Sequence, residues 1–180
     1  MYFCFRVKYM KTHLIIALAA ILLCSGLAVQ TPASDDPDQQ YATQLLKKGD
    51  KAPQIRLNDI DGKPFSLKSL KGRRVVLVFW ASWCPDCRAE VPELKAMYEA
   101  ADPSEVAFVS VSFDREFEKF KAYVADNELP GIQLFDPSGK KDSAVGRDYH
   151  VKWIPSLYLI DAKGKVEFGT VVASKIANAL

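Results

Sequence analysis

Cys84 and Cys87 are the residues whose type and spacing most directly suggest chemistry in this chain. They sit in Trp83-Cys84-Pro85-Asp86-Cys87, just after a continuous apolar run from Val75 to Ala81. That run is rich in β-branched residues and reads as a buried strand, followed by a helix from about Pro85 to Ala101. Cys84 then falls at a helix N-terminus, where unpaired backbone N–H groups and the helix dipole favour a thiolate. Pro85 suits the first turn, because the N–H it lacks would have been unpaired there. Cys87 lies one turn on and on the same side, so the two sulfurs can close and reopen a small disulfide ring. The spacing predicts a division of labour by exposure. Cys84, at the helix end, attacks a partner's disulfide, and Cys87, one turn inside, resolves the mixed disulfide.

Two other uses of a cysteine pair compete. A purely structural bridge over two residues closes almost no loop and gains little stability. A zinc site needs two further ligands. Only His13 and His150 exist, and no second cysteine pair is present. Redox exchange is therefore the expected use, with no metal and no cofactor.

The elements that must position the pair follow from pattern. Gln54–Leu57 and Pro64–Leu67 flank an Asp61-Gly62 turn and read as a hairpin. Val106–Phe113 is a second buried strand. Arg115–Asn127 carries Phe117, Phe120, Tyr123 and Val124 at helical spacing. Ile132–Phe135 is a brief strand, and Ser138–Tyr149 a short helix. Ser156–Ile160 and Lys165–Val172 form a terminal hairpin, and Ser174 stands where it could cap a last helix. Strands alternating with helices imply crossovers and a largely parallel sheet, to which the hairpins add antiparallel strands. The expected architecture is α/β, a central mixed sheet with helices on both faces. Trp80 belongs to the core in this reading, and Trp83 to the site surface.

The N-terminus reads as an export signal. Basic Lys11 precedes an apolar run from Leu14 to Leu23, and Gly26 and Ala28 suit cleavage. The run is short for a membrane span. Residues 1–28 are thus expected to be a signal peptide or an N-terminal membrane anchor. Residues 29–47 are expected to be a linker and 48–180 the folded domain. Met10 is an alternative start. Cys24 raises the question of lipidation, although Leu23 before it is not small, and Cys4 receives no role. Arg6, Lys8 and Lys11 are the only charges before residue 29. Without them the 24 basic residues become 21 against 22 acids, a net charge of −1. That balance gives no sign of nucleic-acid binding. Membrane contact is expected only through the N-terminus, if uncleaved or lipidated.

Beyond the cysteine pair, several motifs line up at fixed spacing. They are Gly49-Asp50-Lys51-Ala52-Pro53, then Asp61-Gly62-Lys63-Pro64 with Leu67, and Gly72. Next come Phe79-Trp80-Ala81-Ser82-Trp83-Cys84-Pro85-Asp86-Cys87-Arg88, Glu90 and Pro92, and finally Ile154-Pro155 and Leu159-Ile160-Asp161. Together they resemble the TlpA/ResA-like thiol-disulfide oxidoreductases of the thioredoxin superfamily, an exported branch. The resemblance runs from about residue 48 to the C-terminus. It implies a thioredoxin-like fold with an N-terminal β-hairpin extension, and a cis peptide at Ile154-Pro155 facing the cysteines. Ile154, Pro155 and Trp83 would bind substrate, with the residue before the proline pairing to an extended segment. The implied substrates are protein thiols and disulfides, with a membrane thiol-disulfide protein as upstream donor, in the periplasm or cell envelope.

Related cytochrome-maturation reductases carry a glutamate matching Glu90. Thioredoxin itself has a buried acid on the preceding strand, where this chain has Val78. Glu90, three residues after Cys87, could therefore accept its proton, or could be a solvated helix glutamate near Arg88. Pro92 should kink the helix. Pro85 and Asp86 are expected to tune the redox pair. The Asp86 charge opposes the Cys84 thiolate, so the disulfide should be comparatively hard to reduce and the protein reductive rather than strongly oxidising. One departure stands out. Similar proteins often carry glycine in the segment before the cis proline, which here reads Tyr149-His150-Val151-Lys152-Trp153. His150 and Trp153 would narrow or redirect partner choice, or His150 would be a surface residue without a role.

Two alternative functions compete with this reading, and residues discriminate them. A peroxidase of peroxiredoxin type places threonine three residues before its cysteine, where this chain has Ala81. A Sco-type copper carrier uses two cysteines separated by three residues plus a distal histidine. The spacing here is two, with His150 available.

Overall fold

The computed structural model describes residues 36–180. The leader expectations, including those for Cys4, Cys24 and the cleavage region, lie outside the described residues.

One seven-stranded sheet organises the domain. In chain order its strands are β1 (Arg56–Asp59), β2 (Pro64–Ser66), β3 (Arg74–Trp80), β4 (Val106–Ser112), β5 (Ile132–Phe135), β6 (Ser156–Ile160) and β7 (Val166–Thr170). Their spatial order is β2-β1-β5-β4-β3-β6-β7. Among the described residues β3/β4 and β4/β5 pair in parallel, and the other four strand pairings are antiparallel. The sheet is mixed as expected, but less parallel than the alternation of strands and helices suggests. The reason is that the N-terminal hairpin joins the sheet through β5, antiparallel, instead of standing apart.

β3 is the central element. Every residue from Val75 to Trp80 is buried, because β4 and β6 flank the strand and helices cover both faces. The helices are α1 (Asp38–Tyr41), α2 (Pro85–Ala89), α3 (Val91–Ala100), α4 (Phe117–Asp126), α5 (Gly139–Asp142), α6 (Ala144–Asp148) and α7 (Ala173–Ala177). The expected helix from Pro85 to Ala101 is divided at Glu90. Pro92 has no N–H to donate to the carbonyl of Arg88, so the ladder is interrupted there. The expected helix from Ser138 is likewise two short pieces. Ser143 separates them and caps α6 by accepting the Gly146 N–H at 2.7 Å.

Two expectations are corrected. Ser174 does not cap α7. It lies within that helix, whose cap Val172 makes no side-chain hydrogen bond. The folded unit also begins before residue 48. Asp38 accepts hydrogen bonds from the Thr170 hydroxyl (2.8 Å) and the Val171 N–H (2.7 Å). Lys175 bridges Asp36 and Asp38 at 2.7 and 2.6 Å. Leu45 is buried in the core. The polar composition of residues 36–47 suggested a linker, but its acids have partners at the C-terminal end.

Behind the cysteines stands an aromatic core. Phe79 packs on Phe113, Tyr149 and Tyr158 with ring centroids 5.7, 5.1 and 6.3 Å away. Tyr149 donates to the Pro53 carbonyl at 2.7 Å. Tyr158 donates to the Tyr149 carbonyl and accepts the Leu46 N–H. Burial raises both phenol pKa values above the ordinary 10.0, which keeps the hydroxyls protonated as donors. These two tyrosines tie the N-terminal segment to the loop that leads into the cis proline.

Candidate active site

Cys84 and Cys87 form a disulfide where β3 gives way to α2, with Cα atoms 5.3 Å apart. Cys84 is the N-cap of α2, and its Sγ accepts the Cys87 N–H at 3.1 Å. A backbone N–H aimed at this sulfur favours its ionised form once the bridge opens. Pro85 occupies the first helical position, as expected.

The predicted difference in exposure is not found. Cys84 is 4% exposed and Cys87 3%, so solvent does not separate the two sulfurs in the oxidised form. The exposed residues are their neighbours Trp83, at 56%, with Pro85 and Asp86. Cys84 is covered because the loop carrying Ile154 closes over it. The Ile154 carbonyl oxygen lies 3.5 Å from its Sγ. What distinguishes the sulfurs is therefore the hydrogen bond to Cys84, not water.

The Ile154–Pro155 peptide is cis, and both residues are buried. The Ser156 hydroxyl donates to the Trp153 carbonyl at 2.7 Å, closing the turn that presents Ile154. Its position over Cys84 places a free backbone carbonyl at the sulfur an incoming chain must reach.

Cys87 faces the other way. With Glu90, Trp80, Val78, Gln133 and Pro155 it lines a notch of about 20 Å³. Val78 is buried at the position where thioredoxin would have its acid. Glu90 is half-buried at the break between α2 and α3. Its Oε2 accepts the Ala173 N–H at 2.9 Å, so this carboxylate holds the start of α7, the service expected of Ser174. The side chain is neither fully solvated nor dedicated to Cys87. Two buried polar atoms in the same notch, Trp80 Nε1 and Gln133 Oε1, have no hydrogen-bond partner.

Sequence reasoning missed Asp114. It is 2% exposed and follows β4. Its Oδ2 accepts the Ser82 N–H (3.0 Å) and the Ser112 hydroxyl (2.7 Å), and its Oδ1 accepts the Ser82 hydroxyl (2.8 Å). The acid fixes the backbone two residues before Cys84. The clue in the sequence was an acid directly after a buried strand, in Ser112-Phe113-Asp114, a place normally apolar or solvent-facing.

His150 and Trp153 are both exposed, and each also contacts the segment before β1. His150 has φ 55°, a left-handed conformation that glycine enters without strain. This explains why glycine suits such a segment. His150 Nδ1 lies 3.1 Å from the Gln44 carbonyl oxygen, and Trp153 stacks on Tyr41 at 4.3 Å. Both bulky residues anchor the segment before β1.

A mixed sheet with a Cys-x-x-Cys bridge at the start of a helix and a cis proline against it defines a thioredoxin-like thiol-disulfide oxidoreductase. The chain belongs to the AhpC/TSA family, whose model matches residues 48–168. It is 32% identical over 142 residues to the thioredoxin-like protein YneN of Bacillus subtilis, covering 75% of this chain and 79% of that one. It is 30% identical over 156 residues to the thiol-disulfide oxidoreductase ResA of Bacillus cereus, covering 87% and 86%. Among solved structures, the thioredoxin domain of thiol-disulfide oxidoreductase BVU-2223 from Bacteroides vulgatus superposes with TM-score 0.68 and 29% identity. The match covers 74% of this chain and 95% of that one. The protein is an enzyme of this oxidoreductase type, acting on protein thiols and disulfides.

Proposed function

We propose that this enzyme works in the reductive direction in the cell envelope, passing two electrons from a membrane thiol-disulfide donor to exported proteins, as in cytochrome c maturation or a similar pathway. The observation that carries exchange through Cys84 is the Cys87 N–H aimed at its Sγ beneath the Ile154 carbonyl, and the reductive direction rests on the Asp86 charge beside it. In the reduced enzyme the Cys84 thiolate attacks a partner disulfide. One partner thiolate leaves and a mixed disulfide forms. The Cys87 thiolate then attacks Cys84 Sγ, the second partner thiol is released, and the bridge seen here is restored. Trp83 is exposed at the docking surface, and the buried Ile154-Pro155 turn contributes its backbone, with Ile154 pairing to the incoming segment.

Glu90 serves as proton acceptor for Cys87 while it holds Ala173. Its second oxygen is not used by Ala173, and the notch has room for about one water molecule to connect the two groups. The unpaired Trp80 N–H and Gln133 oxygen would orient such a water. Asp86, exposed beside the bridge, disfavours the Cys84 thiolate and so favours the disulfide. Residues 1–28 direct export, and the folded enzyme follows them.

Trapping tests the reading. Cys87→Ser should accumulate a mixed disulfide through Cys84 with a thiol partner, identifiable by mass spectrometry. Recovery of no adduct from folded protein with a reactive Cys84 would remove the exchange mechanism. The peroxidase and copper readings gain nothing from the geometry. Ala81 is buried where a peroxidase would place threonine, and the His150 ring is engaged by Gln44.

A further inference from the structure

A groove of about 750 Å³ opens beside Ser82 and Trp83, the two residues ahead of Cys84. Its walls come from separate elements. Arg115 and Glu116 follow β4, Lys119 lies on α4, Lys140 and Lys141 on α5, Arg147 on α6 and Lys152 in the loop toward the cis proline. Six cations thus face two acids. One of the acids, Asp114, is buried with its oxygens bonded to Ser82 and Ser112. The other, Glu116, is paired with Lys119 at 2.6 Å. Arg115, Lys140, Lys141, Arg147 and Lys152 make no ion pair among the described residues.

This concentration is local. Residues 1–35 hold three of the 24 basic and one of the 22 acidic residues, so residues 36–180 hold 21 of each. A neutral domain that gathers unpaired cations in one concavity focuses a positive potential there.

We infer that this groove docks an acidic segment of the polypeptide that bears the target disulfide. The inference rests on the exchange reading above and adds the partner's chemistry to it. The cations are distributed over five elements and loops instead of converging on one point. They therefore match carboxylates spaced along a chain better than a single small anion. The exposed Trp83 gives the same groove an apolar surface for the side chains between those carboxylates, with the buried Phe113 and Val151 forming its floor. An acidic segment lying there runs up to Ser82 and Trp83, and so delivers a neighbouring disulfide to Cys84.

The test uses the reduced full chain and two synthetic peptides. Each contains one intramolecular disulfide, flanked in one by Asp and Glu and in the other by Asn and Gln at the same positions. The acidic peptide should be reduced with about tenfold higher kcat/KM at low salt. The difference should lie in KM, and should vanish near about 0.5 M NaCl, where charges are screened within a few ångströms. The double variant K140E/K141E should cancel the preference and leave the neutral peptide's rate unchanged. Equal rates for the two peptides, or a preference that survives K140E/K141E, overturn the inference while exchange itself stands. Failure to reduce either peptide or a small neutral disulfide overturns the exchange reading as well. Binding to vesicles of anionic phospholipid through Lys140 and Lys141, without peptide preference, overturns the inference in favour of a membrane surface.

Discussion

Just ahead of Cys84, Ser82 and Trp83 border a groove of about 750 Å³ lined with exposed cations, whereas Cys87 borders a notch of about 20 Å³ lined mostly by buried side chains. The two sulfurs have nearly the same exposure, so this difference in surroundings does not come from depth. It comes from what each sulfur faces. The Cys84 side offers backbone groups at Ile154, an exposed tryptophan and charge, the features that the proposed docking uses. The Cys87 side offers a carboxylate and two unpaired polar atoms in a space sized for a proton carrier. In the proposed mechanism, recognition and proton handling fall on opposite sides of a single two-residue bridge. Asp114 reaches the first side from 32 residues beyond Ser82, whereas Glu90 stands on the second side only three residues after Cys87.

The sharpest break between the two sides is a serine swap. Cys84→Ser should abolish exchange with any disulfide. Cys87→Ser should retain the first attack and stall at the mixed disulfide, as mass spectrometry would show. If Cys84→Ser also gave stable adducts, through Cys87, the assignment of the two sides would be reversed.

Glu90→Gln probes the closed side. The amide oxygen can still accept the Ala173 N–H, so stability should change little, while release of the partner should slow by about a hundredfold, within the usual range for a lost general base. Stopped-flow kinetics separates resolution from the first attack. A slowed attack with normal resolution would move Glu90 to the other side of the comparison.

Asp114→Ala probes the open side. It leaves the Ser82 N–H and two serine hydroxyls without their acceptor in a buried site, at a cost of about 1–3 kcal/mol. Urea denaturation should show that loss. Asp114→Asn, which keeps an acceptor oxygen, should lose less. Equal losses from both variants would show that charge, not satisfaction of the serines, matters.

Asp86→Asn should move the potential only slightly, by about 10 mV toward more oxidising, because the side chain is exposed and its field is screened. An unchanged or more reducing value in a glutathione titration would remove Asp86 from redox tuning.

The smallest effect concerns the N-terminal segment that backs the cis-proline loop. Hydrogen bonding to Lys175 lowers the Asp36 pKa below 3.8, and the same contact, with Asp38, raises that of Lys175 above 10.5. For Asp36 the stabilisation is present above pH 3.8 and is lost as pH falls through its lowered value. For Lys175 it is present below pH 10.5 and is lost as pH rises through its raised value. The attachment should therefore hold constant between about pH 4 and 10. Trp153 fluorescence, which reports its stack on Tyr41, should change below that window before the domain unfolds. A steady loss between pH 5 and 8 would contradict the assignment.

Composition and spacing alone placed the buried strand ahead of the cysteines, expected over Val75–Ala81 and found over Arg74–Trp80, the helix start at Pro85 and both cysteines at that junction. Those features depend on neighbours within one or two turns, and local pattern carries that information. The resemblance supplied the cis proline, which no local pattern requires. The fold class also followed, although the hairpin's antiparallel entry into the sheet did not. Only tertiary structure decided what pairs across long separations. Glu90 holds a helix 83 residues away, and Asp114 fixes Ser82 from 32 residues on. Residues 36–47 have the composition of a linker, yet they dock because Thr170, Val171 and Lys175 lie within reach of their acids. The basic groove is invisible along the chain for the same reason. Its cations are scattered over nearly forty residues, and only the packing of the helices around the sheet brings them to one side of Trp83.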